Sequence, residues 1–315
     1  MNLFELVHSF PTRPADSVPE WMLGYFRRHA ISFCDGTTDL DTRVSWMQSR
    51  NFTIDLRLPT PTEAAPEKPL AQYSREELNI LSEYEGWQAD SEWNGQALSW
   101  HSANSLQLHN RWPEPAILQR IGNCMIEFAP SGAYVEDWRL QHCGQGPLIG
   151  LKLINEQDEQ THEIFHRGGG LIICGQYAGL VLGRPEVMST LDGANGLRKL
   201  VMDSGISLDE ILPLFQFETS IAKGGMDLGY TVMESTAPWR IGQPLMSLEG
   251  FSLASDQRTV IQQIEVDGAV RIRQFIVDTL EPEFHFATST SCTEAARDWL
   301  QQEAQTLGRY TRIVE

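Results

Sequence analysis

Residues 121–140 read IGNCMIEFAPSGAYVEDWRL, and this stretch decides the fold class. Large apolar or aromatic residues alternate with polar ones on both sides of a Pro-Ser-Gly turn at 130–132, which is the pattern of a β-hairpin. A loop over 130–133 fixes the register of the two strands. The predicted cross-strand pairs are Ala129 with Tyr134, Glu127 with Glu136, and Met125 with Trp138.

In this register two acids, Glu127 and Glu136, lie opposite each other on one face of the hairpin. Like charges across a strand pair repel. The arrangement therefore requires a solvated face, a neutralising arginine such as Arg57 or Arg139, or one acid that keeps its proton. The first alternative describes an ordinary barrel exterior, and the other two describe a functional cavity.

Composition and charge exclude several classes of function. The chain of 315 residues has 42 acidic and 24 basic residues and a formal charge of -18, which is a poor match to a phosphate backbone. We therefore expect no nucleic-acid partner. The start, MNLFELVHSFPTRP, lacks a basic leader segment, and no later run approaches the roughly 18 apolar residues of a membrane span. We expect a cytoplasmic protein with no membrane partner, and we leave a homodimer open.

The five cysteines are scattered along the chain and never form a CxxC pair. They indicate neither a disulfide framework nor a zinc ribbon. We interpret each of them as a small buried side chain or an unreactive thiol.

The spacing of strands and turns predicts an all-β fold with minor helices. About ten short strand patterns with turn residues between them occupy the first part of the chain, which is typical of a closed antiparallel barrel. Ser74 and Glu77 form a capping box before one short helix. We assign residues 1–184 to a barrel.

The sequence pattern of the remaining residues, 185–315, predicts a helical connection, a second β-rich module and a C-terminal helix. Glycines interrupt the helical patterns of 185–214, and strand patterns resume at residue 215. Asp267 and Gly268 have the composition of a hairpin turn. Thr293 is a plausible N-cap for the last helix.

An ordered set of fragments resembles the calycins, the superfamily of lipocalin-like barrels, and in particular their Hri-type members. The fragments are YFRRHAISFCDG (25–36), TRVSWMQSRNFTIDLRLP (42–59), GWQ (86–88), WNG (93–95), MIEFAPSGAYVEDW (125–138), LIICGQYAGLVLGR (171–184) and APWRIGQPL (237–245). The resemblance implies an up-and-down barrel with an internal cavity. It supplies no catalytic residue.

Residues 162–166, HEIFH, match the zinc-binding H-E-x-x-H pattern, with Glu186 downstream as a third ligand. On a helix both imidazoles would share one face. The polar run before the motif and the three glycines after it favour a strand instead, on which residues four apart lie about 13 Å from each other. We expect a strand with solvated histidines and no metal.

The strand FTIDLRL (52–58) has one apolar face and one face that carries Asp55 and Arg57. In an ordinary barrel these two charges lie outside, and we expect them there. A ligand-holding barrel can reverse this locally and place a few polar groups among aromatic ones. In that hypothesis aromatic side chains form the wall of the cavity, and charged side chains hold a polar group of the ligand. The wall residues are Trp46, Trp100, Tyr134 and Trp138. The residues that hold the polar group are Arg57, Glu127 and Glu136.

Three classes of function follow. The first is the binding of a small apolar or aromatic molecule in the barrel. The second is a lyase, isomerase or hydrolase that uses Glu127 and Glu136 as its acid and base. The third is a protein-interaction role.

Two further features bear on cofactors. His101 would suit a haem ligand or a general base. The glycine-rich stretch GQGPLIG at 144–150 precedes a strand, so it is not a dinucleotide fingerprint. We expect no cofactor.

Overall fold

The computed structural model describes residues 1–187, 196–266 and 268–310. In these residues the fold is mostly β, with a closed antiparallel barrel and a second antiparallel sheet beside it. The predicted all-β fold class is confirmed. Among the described residues no helix combines the length and apolar character that a membrane span requires.

The barrel is built from the first half of the chain. Its strands in the described residues are β1 (Gly24–Phe33), β3 (Arg43–Gln48), β4 (Phe52–Leu58), β5 (Glu85–Trp93), β6 (Ala97–Ser105), β7 (Ala116–Ile121), β8 (Cys124–Phe128) and β9 (Tyr134–Leu140), with a short β2 (Thr38–Asp39) attached to β1. Each strand pairs with the next one, and β9 pairs back with β1. Phe26 shows the closure, because it lies opposite Trp46 on one side and Leu140 on the other. Closure leaves the main strands without a free edge.

The β8–β9 hairpin has the predicted register. Glu127 lies opposite Glu136 and Met125 opposite Trp138. The backbone N–H of Ala129 donates to the carbonyl oxygen of Tyr134 at 3.1 Å, which closes the loop. Gly132 in this loop has φ +75°, a conformation that favours glycine.

The second sheet contains most of the remaining strands. In the described residues they are β10 (Gln145–Asp158), β11 (Ile164–Arg167), β12 (Gly169–Cys174), β13 (Tyr177–Leu182), β14 (Glu218–Gly225), β15 (Gly229–Ser235), β16 (Phe251–Leu253), β17 (Thr259–Val266) and β18 (Ala269–His285). Their order is β15-β14-β13-β12-β10-β18-β17-β16, and β11 pairs with β10.

The sequence led us to expect that the strands of 145–182 belong to the barrel. That expectation is wrong. The barrel ends at Leu140, and β10, β12 and β13 pair with β14 and β18. Alternation of polar and apolar residues says which face of a strand is buried, but not to which sheet the strand belongs. A division of the chain into folding units at residue 184 stays a prediction.

The second sheet packs directly on the outer wall of the barrel. A Cβ added to Gly179 would lie 2.8 Å from the sulfur of Met47 and 3.5 Å from Cδ1 of Ile54. A Cβ added to Gly86, on barrel strand β5, would lie only 2.5 Å from Oγ1 of Thr219. Glycine at these positions lets the backbones of the two layers approach closely.

Polar contacts tie the β3–β4 turn to β18. Arg50 is fully buried, and its guanidinium donates two hydrogen bonds of 2.8 Å to Glu281. Ser49 and Asn51 donate to Asp278 at 2.6 and 3.0 Å. The two layers therefore meet through buried polar contacts as well as through apolar packing.

The helices are short except for the last one. Their bounds are α1 (Leu3–Ser9), α2 (Arg75–Leu81), α3 (Gly196–Met202), α4 (Leu208–Ile211) and α5 (Glu294–Tyr310). Helix α1 covers the face of the second sheet that points away from the barrel, where Leu3 and Leu6 are fully buried. The capping box of Ser74 and Glu77 at α2 is present as predicted.

The oxygen of Thr293 accepts a bond from the N–H of Ala296 at 3.2 Å and caps the start of α5. Part of the predicted helical connection, residues 188–195, and Asp267 of the predicted hairpin turn lie outside the described residues.

Candidate functional site

All the predicted site residues lie inside the barrel. Those that line one small internal space are Trp46, Arg57, Trp100, Glu127, Tyr134 and Trp138. The seventh, Glu136, lies next to this space, with Oε1 3.8 Å from Nη1 of Arg57. The structure therefore brings the predicted residues together, whereas their role in ligand binding stays a prediction.

Their position in the barrel follows from an inverted strand pattern. On β4 the charged residues Asp55 and Arg57 point into the barrel, and they are 2% and 10% exposed at the side chain. Ile54 on the alternate face contacts the second sheet. The expectation that these charges lie on a solvated exterior is wrong, because the outer wall of the barrel at this point is a packing surface and not a solvent surface.

The two acids of the hairpin have different environments. Glu136 accepts a hydrogen bond of 2.9 Å from Arg28, whose side chain is only 5% exposed. Glu127 accepts bonds from the indole N–H of Trp138 at 3.0 Å and from the hydroxyl of Tyr134 at 3.4 Å. Burial, and after it the negative charge of Glu136, raises the pKa of Glu127 to about 8. Arginine pairing of one acid and proton retention by the other together resolve the repulsion.

The two arginines that we named as neutralising partners behave differently. Arg57 belongs to the cluster, although Arg28 makes the shorter contact with Glu136. Arg139 lies on the outside and pairs with Asp137 at 2.8 Å. Arg28 was missed because the alternation of β1 shifts at a bulge between Arg28 and Ala30, which no turn residue announces.

Arg57 is the centre of the charged network. Its Nε lies 2.9 Å from Oδ1 of Asp55, and its guanidinium stacks on the ring of Trp112 at 4.0 Å. Burial raises the pKa of Asp55 to about 6 although the charge of Arg57 opposes this. For Arg57 burial alone would lower the pKa, but the carboxylates of Asp55, Glu136 and Glu85 outweigh it and raise the pKa. Arg57 therefore stays charged at every working pH.

The aromatic side chains nearly fill the barrel interior. The ring centroids of Trp46 and Trp138 are 5.9 Å apart, and those of Trp87 and Trp100 are also 5.9 Å apart. The space between them has a volume of about 10 Å³, which holds about one water molecule. The interior is thus much more closely packed than the roomy cavity that we expected.

A larger cleft opens at the mouth of the barrel, with a volume of about 540 Å³. It lies between β5, β6, the segment 105–112 and the segments 167–168 and 184–187. Trp87, Trp100 and Trp112 line both the cleft and the small internal space. These three rings therefore form the boundary between the two spaces.

Buried polar atoms without a hydrogen-bond partner concentrate here. Of eleven such side-chain atoms in the described residues, six belong to residues that line the two spaces. They are Nε1 of Trp46, Nη1 of Arg57, Nε1 of Trp87, Nε1 of Trp100, Oε1 of Gln107 and Nδ1 of His109. Such groups are rare in folded proteins and each one carries a desolvation cost.

Sequence reasoning missed several members of this site. Trp112 and His109 lie in the segment between β6 and β7, where no periodicity predicts a direction for the side chains. Glu85 accepts bonds from Nε1 of Trp112 at 2.7 Å and from Arg111 at 3.2 Å. The available signal was the cluster HNRWP at 109–113, in which charged and aromatic residues alternate without a strand pattern.

The HEIFH segment is not helical, as expected. His162 is exposed in the β10–β11 loop with φ +60°, and the last three residues of the motif belong to β11. His166 is less solvated than predicted, because its Nδ1 contacts the carbonyl oxygen of Gly183 at 3.0 Å and burial lowers its pKa. Among the described residues no group of three or more His, Cys, Asp and Glu side chains could hold a metal ion.

His101 lies away from both spaces. Its side chain is 54% exposed, and Nε2 is 3.1 Å from a carboxylate oxygen of Glu92. A solvent-exposed contact of this kind gives no support to a haem ligand or a general base at this position.

Comparisons of this chain with protein-family models, with curated proteins and with solved structures gave no match.

Proposed function

We propose that this protein binds a small planar aromatic molecule at the mouth of its barrel. The observation that carries the proposal is the cleft of about 540 Å³ that ends on Trp87, Trp100 and Trp112. This volume lies within the range of small-molecule sites. Indole rings offer large flat surfaces that stack well on another aromatic ring.

The unpaired polar atoms support the same proposal. An unpaired buried donor or acceptor costs roughly 1 to 3 kcal/mol. A ligand that contacts Nε1 of Trp87, Nε1 of Trp100 and Oε1 of Gln107 would recover part of this cost. Burial, and after it the charge of Arg111, lowers the pKa of His109, so that its neutral ring offers one donor and one acceptor to the cleft.

We further propose that the chain is a calycin. The closed eight-strand antiparallel barrel in the described residues is consistent with that superfamily. The charged and aromatic residues inside the barrel agree with a barrel that holds a ligand. A cytoplasmic location is part of the same proposal, since the cysteines, Cys34, Cys124, Cys143, Cys174 and Cys292, are all free thiols.

The raised pKa of Glu127 favours one second candidate, an acid–base enzyme. A carboxylic acid with a pKa of about 8 can hold a proton at neutral pH and deliver it to a substrate. Glu136, directly across the strands, would stay with Arg28. The small volume around Glu127 makes binding in the cleft the better-supported function.

Native mass spectrometry of freshly purified protein tests the proposed function, followed by titration of the protein with naphthalene derivatives. We expect one aromatic molecule per chain, retained from the cell or bound in the titration, and loss of binding in Trp100→Ala. The control is Trp299→Ala, because Trp299 lies on α5 and is 54% exposed. A protein that retains nothing and binds no naphthalene derivative contradicts the proposal and favours the protein-interaction role. The same spectra report whether the chain is a homodimer.

A further inference from the structure

Among the described residues that line the small internal space, four have an unpaired buried hydrogen-bond donor and none has an unpaired buried acceptor. The four donors are N–H nitrogens of residues that line it, those of Trp46, Arg57, Trp87 and Trp100. The oxygens of the two acidic side chains that line the same space already accept hydrogen bonds. Both oxygens of Asp55 accept from Arg57, and both oxygens of Glu127 accept from Tyr134 and Trp138.

Arg57 has the most consequential of these free donors. Its Nε and Nη2 bind Asp55, whereas Nη1 lies 3.8 Å from Glu136, within an ion pair but too far for a hydrogen bond. A guanidinium N–H is a strong donor, and bonds to charged groups are worth roughly 1.5 to 3 kcal/mol. The space beside it has room for about one oxygen atom.

The fixed charges around the space are already paired. Asp55 is paired with Arg57, Glu136 with Arg28, and Glu85 with Arg111. Asp39, which also contacts Arg28, has a side chain that is 31% exposed and shares its charge with solvent. Glu127 holds a proton at neutral pH, since its pKa is raised by burial and by Glu136. A further full charge in this interior would have no partner, and an unpaired buried charge is costly.

Resting on the proposed binding function, we infer that the group of the ligand that enters the barrel is an uncharged carbonyl oxygen, bound by the N–H groups of Trp46 and Arg57. The aromatic body of the ligand then lies in the cleft among Trp87, Trp100 and Trp112. A hydrocarbon would leave the donors unpaired. An ammonium group would place its own N–H donors against the N–H donors of the protein. A carboxylate would add a negative charge that has no positively charged partner.

Four naphthalenes of nearly equal size test this inference by calorimetric titration of the full chain at pH 7. They are 2-acetylnaphthalene, 2-ethylnaphthalene, 2-naphthoate and 2-naphthylmethylammonium. We expect the ketone to bind about tenfold tighter than the hydrocarbon, the equivalent of one hydrogen bond of about 1.4 kcal/mol. The two ions should bind more weakly than the ketone.

Variants locate the effect. Trp46→Phe removes a donor that makes no hydrogen bond in the protein and keeps an aromatic ring, so the fold should be retained. It should weaken binding of the ketone several-fold and leave the hydrocarbon unchanged. Trp239→Phe is the matched control, since Trp239 packs on Tyr73 outside both spaces and should change neither affinity. The carbonyl stretch of the bound ketone should move to lower frequency in the native protein and less in Trp46→Phe.

The outcomes separate the two proposals. Equal affinities for ketone and hydrocarbon, or tightest binding of either ion, overturn the inference and leave the proposed binding function standing. Failure of all four compounds to bind overturns the inference, and it overturns the proposed function as well if the purified protein retains no aromatic molecule.

Discussion

Glu127 lies directly across the β8–β9 strands from Glu136, but in the described part of the chain only Glu136 has an arginine within hydrogen-bond distance. The barrel thus treats two chemically identical side chains differently. One is a paired anion, and the other is a buried acid whose oxygens accept from an indole and a phenol. The charge state of the barrel interior depends on this asymmetry.

The first prediction concerns Glu127→Gln. The pKa of Glu127 is raised above its unfolded value, so the folded state binds the proton more tightly than the unfolded chain. The stability that this proton contributes is fully present below pH 4.5 and is lost as the pH rises towards 8. The variant has no proton to lose, and it should gain stability relative to the native protein by a few kcal/mol between these limits. Urea unfolding at pH 5, 7 and 9 measures this difference.

Glu159→Gln is the control for that series, because Glu159 is an exposed residue after β10. Its difference from the native protein should not change with pH. If the stability difference between Glu127→Gln and the native protein also did not change with pH, it would contradict the raised pKa of Glu127.

The second prediction concerns Glu136→Gln. This change leaves the buried charge of Arg28 with the part-exposed Asp39 as its only ionic partner among the described residues. The loss should be about 3 kcal/mol or more of unfolding free energy, the usual result of breaking a buried pair from one side. Asp137→Asn on the same strand removes an exterior pair and should cost below about 1 kcal/mol. Equal losses in the two variants would contradict the inward position of Glu136.

The hairpin was the most predictable part of this molecule. Turn residues, alternation and loop length all lie within 20 residues of one another, so the register from Ala129 to Tyr134 follows from local chemistry. The candidate site was predictable only in part. Its predicted residues lie on this hairpin or on other barrel strands, whereas Arg28 at a bulge and Trp112 in a loop were missed.

The assignment of strands to sheets was not predictable by the same means. Every residue of β12 is buried, because the barrel covers one face of the second sheet and α1 covers the other. A strand that is buried on both faces shows no alternation. The second sheet also covers the outer face of β4, so the apolar face of this strand points outward and its charged face inward. Ile54 and Leu56 pack outside the barrel, and Asp55 and Arg57 lie inside it.

The third prediction tests how the two layers meet. In Gly86→Ala the added methyl would lie 2.5 Å from Oγ1 and 2.7 Å from Cβ of Thr219, and neither atom is the end of a long flexible chain. We expect a loss of about 1 to 3 kcal/mol in unfolding free energy from overpacking. Gly225→Ala, at a strand glycine with nothing within 4 Å, should change stability by no more than about 0.5 kcal/mol. An alanine that costs nothing at residue 86 would contradict the close packing of sheet on barrel.

The fourth prediction concerns the histidines of HEIFH. Because Ile164–Arg167 is a strand, the two imidazoles cannot share one zinc ion in the manner of a helix. We expect treatment with a chelator to leave the melting temperature unchanged, and we expect zinc analysis of the purified protein to find less than one ion per chain. Stoichiometric zinc that is lost in His162→Ala would contradict the strand assignment.

A crystal structure of the protein with 2-acetylnaphthalene tests the central claim most directly. We predict a planar ring system among Trp87, Trp100 and Trp112, with the carbonyl oxygen about 3 Å from the N–H of Trp46 or of Arg57. A ring system bound elsewhere on the molecule, or one in the cleft whose oxygen points to solvent, would contradict the account.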